Sequence, residues 1–334
     1  MTALKRAHRR FARLDRTLIM AVVLLSSVFP VELFPNTPPA PKGLDGQYSG
    51  KQGQVLVVKV KGEEQATEVK GTFLSRTIPF FREFRPGEPA GYIGLLGIDM
   101  QDEPGTYELA VEVKQGEQAK QLSFNVLVAK EKFAVEHLKL PKEKVDLDEK
   151  SVARWKAEQQ LVQQALAENS RLKLWHSNFV EPVSGKRTGI FGSVRIMNGK
   201  PRNPHNGEDI GAPMGADVAA SNDGVVRLTV DHIFSGRGVY VDHGLGFYTM
   251  YFHLSDVLVK DGDLVTAGQI IGKVGATGRA TGPHLHWGVK LNGARVNPYT
   301  LLDLPFKNGS SPANSIATPK PETTSAPEAV PVKQ

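Results

Sequence analysis

At 334 residues with 40% hydrophobic side chains, the chain can bury more than one core, and at roughly 150 residues per domain it divides into two domains plus appendages. It contains no cysteine, which excludes a disulfide framework, a cysteine zinc site, a cysteine nucleophile and a lipidated-cysteine anchor. The formal charge is +6, but Lys5, Arg6, Arg9, Arg10, Arg13 and Arg16 against Asp15 place +5 within the first 16 residues, and the near-neutral remainder excludes a general nucleic-acid binder.

The basic start leads into an uncharged apolar run from Leu18 to Phe29. Together they read as the n-region and h-region of an export signal, with the basic side kept in the cytoplasm. The run is short of the roughly 20 apolar residues of a full span, and Glu32 interrupts its extension through Val31, Leu33 and Phe34. No Ala-x-Ala site follows, so residues 1–34 are expected to form an uncleaved signal anchor in preference to a cleaved signal peptide. Residues 35–46 hold Pro35, Pro38, Pro39 and Pro41, a stiff linker that would lift the next domain off the membrane.

Residues 47–132 alternate like short strands. Tyr107, Leu109, Val111 and Val113 alternate with polar residues, as do Leu122, Phe124, Val126 and Val128; Val55 to Val60 is a further strand, and Glu103-Pro104-Gly105 a turn. Strands at such spacing predict a small β-sandwich, to which no chemistry attaches. Residues 133–175 read as a helical connector: no Gly or Pro occurs between Asp146 and Asn169, and Val152, Trp155, Val162 and Leu166 recur near helical spacing. Asp146 or Asp148 would cap the helix, and Trp155 is expected as a core anchor. Residues 176–306 are rich in Gly and β-branched residues, predicting a β-rich domain with a groove, and residues 307–334 have the composition of a disordered tail.

Four of the nine histidines and one aspartate cluster in the second domain, in His205-Asn206-Gly207-Glu208-Asp209, in Tyr251-Phe252-His253 and in His284-Leu285-His286. The last follows the breaker run Thr277 to Pro283 and starts a strand, so His284 and His286 point to the same face. By the same alternation Thr249, Tyr251 and His253 share a face. Imidazole nitrogen and carboxylate oxygen both suit zinc, and a catalytic zinc keeps three protein ligands and one open position. More candidate groups than ligand positions point to a reaction, not a structural clip. His8, His137, His176, His232 and His243 have no such context; His243, in Asp242-His243-Gly244, reads as a turn residue.

The run from Phe191 to Pro298 resembles the lysostaphin-type (LytM-like) zinc metalloendopeptidases that cut peptidoglycan peptides. The similarity lies in the HxxxD element, in the segment from Gly211 to Ala220, in Asp223-Gly224-Val225-Val226, in Tyr251-Phe252-His253-Leu254, in Gly268 to Gly272 and in Gly278 to His286. It implies an antiparallel sheet with zinc on its floor, His205, Asp209 and His286 as zinc ligands, and His253 and His284 as catalytic histidines that do not ligate. Departures from the pattern are Glu208 and Ala216, where an apolar residue and a threonine are expected, and Arg195 alone where a basic pair is common. Arg195, Tyr240 and Tyr251 are candidates for the substrate groove.

The resemblance implies one Zn²⁺ per chain and a zinc-dependent endopeptidase acting on peptidoglycan stem and cross-link peptides. It would sit in the cell envelope, anchored to the inner membrane with its catalytic domain periplasmic, or secreted if the signal is cleaved. With no HExxH in the sequence, His253 or His284 replaces the usual glutamate base, and which does so is open. The alternative is a non-catalytic LytM-like regulator that binds and activates a cell-wall amidase. Members of that class typically lack metal ligands, and none is missing here.

Overall fold

A computed structural model of the chain describes residues 46–83, 91–141, 146–168, 170–304 and 306. The expected signal anchor, nearly all of the proline-rich linker and the tail from residue 307 lie outside the described residues. Among the described residues no helix is long and apolar enough to cross a membrane.

The N-terminal part is a seven-stranded sheet of β1 (Gln47–Lys51), β2 (Val55–Lys61), β3 (Glu68–Phe73), β4 (Arg76–Glu83), β5 (Gly91–Gly97), β6 (Gly105–Gln115) and β7 (Gln118–Ala129), in the order β1-β7-β6-β3-β4-β5-β2. Alternation decides what it buries: β6 turns Leu109, Val111 and Val113 inward, and β7 turns in Phe124, Val126 and Val128. The sheet curls so that these side chains meet Val58, Val60, Phe73, Ile78 and Leu96 in one core. β5 is covered on both faces. Tyr92 and Leu96 join that core, whereas Ile93 and Leu95 enter a second one.

The segment between the two sheets is not helical throughout. It opens with β8 (Val135–Leu138), which pairs in parallel with a later strand, because its partner's edge is open. Then comes α1 (Glu149–Ala167), capped by Asp148, whose carboxylate accepts from Ser151 N at 2.7 Å. Asp146 pairs with Lys200 instead, at 2.8 Å. No residue of α1 is fully buried; Val162, Ala165 and Leu166 lie against Leu228, Val230, Tyr240, Met250 and Phe252. Trp155, expected in a core, stands edge-on to Phe234 at 6.4 Å on the rim of a cavity.

The C-terminal part contains β9 (Lys186–Gly189), β10 (Val194–Met197), β11 (Lys200–Pro201), β12 (Gly207–Gly211), β13 (Asp217–Ala219), β14 (Gly224–His232), β15 (Gly236–Gly244), β16 (Phe247–Leu254), β17 (Asp256–Val257), β18 (Leu264–Val265), β19 (Ile270–Lys273), β20 (Leu285–Leu291) and β21 (Ala294–Arg295). Eight of them form an antiparallel sheet, β18-β14-β15-β16-β20-β12-β9 with β21 beside β20. Its two faces differ. Val239, Val241, Tyr251, Leu285 and Trp287 pack into a core with Val218 and Ile271, while Tyr240, Met250 and Phe252 floor the cavity under α1.

The two sheets share the second core. Ile93 and Leu95 from β5 pack with Trp175, Phe179, Phe247, Val289, Leu291, Val296 and Phe306. Beside it, buried Asp99 accepts from Arg295 Nη2 at 2.6 Å, from Arg295 Nε at 3.0 Å and from its main-chain N at 2.7 Å. The chain is thus mainly β, with an antiparallel sheet bearing the groove, a curled β-domain before it and one helix between.

Candidate metal centre

Strand register brings two of the expected ligands together: in the β12–β20 pair Asp209 stands directly opposite His286. Gly207 makes the pairing this close, since a Cβ there would stand 2.6 Å from His286 Nε2 and 2.5 Å from the Trp287 carbonyl. His205 precedes β12 in a loop tied by Gly192 N to the His205 carbonyl (2.7 Å) and by His205 N to the Ser193 carbonyl (2.9 Å). Asp209 Oδ1 lies 2.9 Å from His205 Nε2 and 2.8 Å from His286 Nδ1, and those two nitrogens are 2.9 Å apart. All three residues are buried.

Second contacts fix which ring nitrogen faces inward. A carbonyl can only accept, so His205 Nδ1 donates to the Ile190 carbonyl (3.1 Å), His253 Nδ1 to that of Thr277 (2.8 Å) and His284 Nδ1 to that of Gly282 (2.8 Å). Each of these rings therefore presents its Nε2 lone pair. The His286 ring is stacked on Phe252 at 5.7 Å, with only 8° between planes.

His253 does not share a face with Thr249 and Tyr251. It has φ +64°, and the β15–β16 register slips beside it, so the strand breaks its alternation and turns the imidazole to the cavity side. Its amide donates to the Ser235 carbonyl at 2.9 Å. The ring stands 4.7 Å from that of His284 and 6.0 Å from that of His286, centre to centre. His284 Nε2 lies 3.7 Å from Asp209 Oδ1.

Electrostatics hold this set in ligating form. Burial would raise the pKa of Asp209, but its close polar contacts with the His205 and His286 rings carry it far below the usual carboxylate range. Burial lowers His286 to about 4, against the pull of Asp209, and lowers His253 to about 3, helped by repulsion from His286 and His284. Both imidazoles are neutral at ordinary pH.

The groove candidates part company. Arg195 donates from Nη2 to Asp209 Oδ2 (2.7 Å) and from Nε to Glu136 of β8 (3.3 Å), so it orients the carboxylate while lining the cavity. Tyr240 is on the cavity floor, edge-on to Phe252 at 5.1 Å. Tyr251 is a correction: it is fully buried on the opposite face, where its hydroxyl accepts from Ser221 N at 2.7 Å. Glu208, one residue from Asp209, points away and is buried against Arg187, at 2.5 and 3.1 Å, with that guanidinium 4.4 Å from the Tyr299 ring centre. The departure at Glu208 thus has its own counter-ion on β9.

His243 is also corrected. It lies inside β15, fully buried, not in a turn. Spacing also gave no sign of Glu136, Thr277 or Phe234, which reach the site through non-local pairing; only the breakers Gly278 and Gly282 hinted that main-chain carbonyls there are free to bind side chains.

Three buried ligand residues with donor atoms within 4.8 Å of one another, two of them (His205 and His286) lining a cavity of about 580 Å³, define a candidate hydrolytic metal site on an antiparallel sheet. Residues 203–298 match peptidase family M23. A solved structure of a Pseudomonas aeruginosa protein assigned to peptidase M23 is 31% identical, with TM-score 0.55, and the likeness covers 74% of this chain and 92% of that one. The chain belongs to peptidase family M23.

Among curated relatives, the peptidoglycan DD-endopeptidase ShyA of Vibrio cholerae is 49% identical over 94 residues, 28% of this chain and 22% of that protein. The DD-carboxypeptidase/endopeptidase Mpg of Neisseria meningitidis is 40% identical over 125 residues, 37% of this chain and 25% of that protein. The matched stretch is therefore a quarter or less of these relatives' own length.

Proposed function

We propose that the chain is a zinc-dependent endopeptidase that hydrolyses amide bonds in peptidoglycan cross-linking peptides. The observation that carries this reading is the pairing of a three-residue ligand set with two further histidines whose Nε2 lone pairs face the same space. The relatives named for peptidoglycan endopeptidase activity support the choice of substrate.

The donor set fits the metal. His205 Nε2, His286 Nδ1 and Asp209 Oδ1 are three electron-pair donors within 3 Å of one another, an arrangement that repels itself unless a cation or shared proton sits among them. Two neutral nitrogens and one carboxylate suit zinc and leave a position open. Bound there, zinc would supply Lewis acidity, polarising the scissile carbonyl and acidifying the attacking water.

The chain's own residues do the rest. Arg195 holds Asp209 by Oδ2, leaving Oδ1 for the site. The floor of Tyr240, Met250 and Phe252 and the flank of α1 keep bulk water from the bond to be cut. His253 and His284 stand side by side at the site: one accepts the proton of the attacking water at Nε2, and the imidazolium so formed passes that proton to the departing amine, while the Nε2 of the other orients the water. The regulator reading gains nothing from the geometry, because the full ligand set and both free histidines converge. Such a substrate lies outside the cytoplasm, in keeping with the export-type composition of residues 1–34.

The test is mass spectrometry of cross-linked peptidoglycan fragments incubated with purified protein, with and without chelator. Loss of cross-linked dimers that chelator abolishes and added zinc restores is expected. Intact dimers with stoichiometric zinc bound would refute the reading.

A further inference from the structure

We infer that Arg279 is the groove's receptor for a carboxylate on the substrate peptide, placed beside the bond to be cut; the inference rests on the peptidase reading above. The charged side chains lining the cavity are Asp99, Glu158, Arg195, Arg279, Lys290 and Arg295. Most are already matched. Asp99 is held by Arg295, Glu158 by Arg154 and by the amide of Ile233, and Arg195 by Asp209 and Glu136. Among the described residues, Arg279 and Lys290 have no ion-pair partner. Lys290 is at the end marked by Arg295, whereas Arg279 is two residues beyond Thr277, whose carbonyl holds the His253 ring.

The guanidinium of Arg279 is placed, not loose. Its carbon stands 4.0 Å from the ring centre of Phe234, and its main-chain N donates to the Phe234 carbonyl at 2.8 Å. Gly278, at φ +71°, lets this turn close on Gly236, where a Cβ would meet Gly236 N at 2.3 Å. Phe234 is in turn backed by Trp155 of α1. Stacking covers one face of the guanidinium and leaves its N–H edge for a planar acceptor, the geometry that binds carboxylates with two bonds.

The surroundings are unfavourable to a lone cation. Burial lowers the pKa of Arg279 to about 10, with Arg195 and Arg202 adding repulsion and no acidic group opposing it. A half-buried cation without a counter-ion is costly, and an anionic ligand removes that cost. The ligand class is therefore a peptide bearing a free carboxylate next to its scissile amide, in contrast to a neutral peptide such as a glycine bridge.

The test uses two synthetic cross-linked peptides that differ in one carboxyl group adjacent to the scissile amide, free in one and amidated in the other. Wild type, Arg279→Gln and Arg279→Lys are compared by kcat/KM and by fluorescence-anisotropy binding. Wild type is expected to favour the free acid by about 10–100-fold, Arg279→Gln to bring that ratio to about 1, and Arg279→Lys to retain part of it. No preference in wild type, or a preference unchanged in Arg279→Gln, overturns the inference. Should wild type cleave neither peptide, the peptidase reading fails, and the same ratios measured as affinities decide the role of Arg279.

Discussion

Both faces of the C-terminal sheet carry buried histidine, a lone His243 on the core face and a cluster on the cavity face, and the two are built on opposite rules. On the core face a chain of hydrogen bonds runs from one main-chain group to another. His243 Nδ1 donates to the Asp223 carbonyl at 2.7 Å, so its Nε2 must accept from Thr249 Oγ1 at 2.8 Å; the Tyr251 hydroxyl, 2.8 Å from that oxygen, takes the amide of Ser221. Both His243 nitrogens are used. On the cavity face His253 and His284 each spend only Nδ1 on a carbonyl, and His205, Asp209 and His286 turn their donor atoms on one another. Burial alone does not mark a site: His243 is more deeply buried than His253. What marks it is lone pairs left over after the protein's own bonds are made.

The comparison breaks most sharply at the ligands. His205→Ala or Asp209→Asn should abolish zinc binding, measured by elemental analysis, and lower kcat/KM by at least ~1000-fold. His253→Ala and His284→Ala should keep stoichiometric zinc yet lose roughly 100- to 10,000-fold in kcat, the range of a missing acid or base. Retention of full turnover in either would remove that histidine from the chemistry.

The core-face histidine should behave inversely. His243→Ala is expected to cost roughly 2–4 kcal/mol in urea unfolding, from a cavity and a broken buried network, with zinc content unchanged. Its pH signature follows from burial, which depresses the folded-state pKa from 6.5 to about 4 against the smaller pull of the Asp223 carbonyl and Asp242. A depressed folded pKa means that the neutral form is favoured by folding. That stability is fully present above pH 6.5 and is lost as pH falls through about 4, to an extent of about 3 kcal/mol. Since other histidines titrate in the same window, the difference in pH dependence between wild type and variant is the quantity to measure. The smallest effect is expected at Arg195→Gln, which frees Asp209 Oδ2: roughly 10- to 100-fold weaker zinc affinity by chelator competition, with the fold intact.

How far the sequence reaches depends on distance along the chain. HxxxD and HxH were legible because their partners are a few residues apart and one register, Asp209 opposite His286, joins them. The helix was legible from its lack of breakers, and the strands of β6 and β7 from their alternation. Alternation running through Phe252 would put Tyr251 and His253 on a common face; a single left-handed residue at the strand end undoes it. β8 is not legible in the sequence because its pairing with β10 spans more than fifty residues, and the same holds for the Glu136–Arg195 contact. A pattern of period two cannot report a bulge, nor can local composition report a parallel partner.

The apolar cluster shared by the two sheets bears on where this chain can be cut. Sequence similarity concentrates in residues 203–298, and a fragment cut to those limits would carry the ligands and both free histidines. It would also strip Phe247, Val289 and Leu291 of Trp175, Phe179 and Phe306, and of Ile93 and Leu95. Such a fragment offers its neighbours a sticky apolar face in place of a folded boundary. The autonomous unit of this protein is thus larger than its signature, and a soluble catalytic fragment must bring its cover along or have that face rewritten with polar side chains.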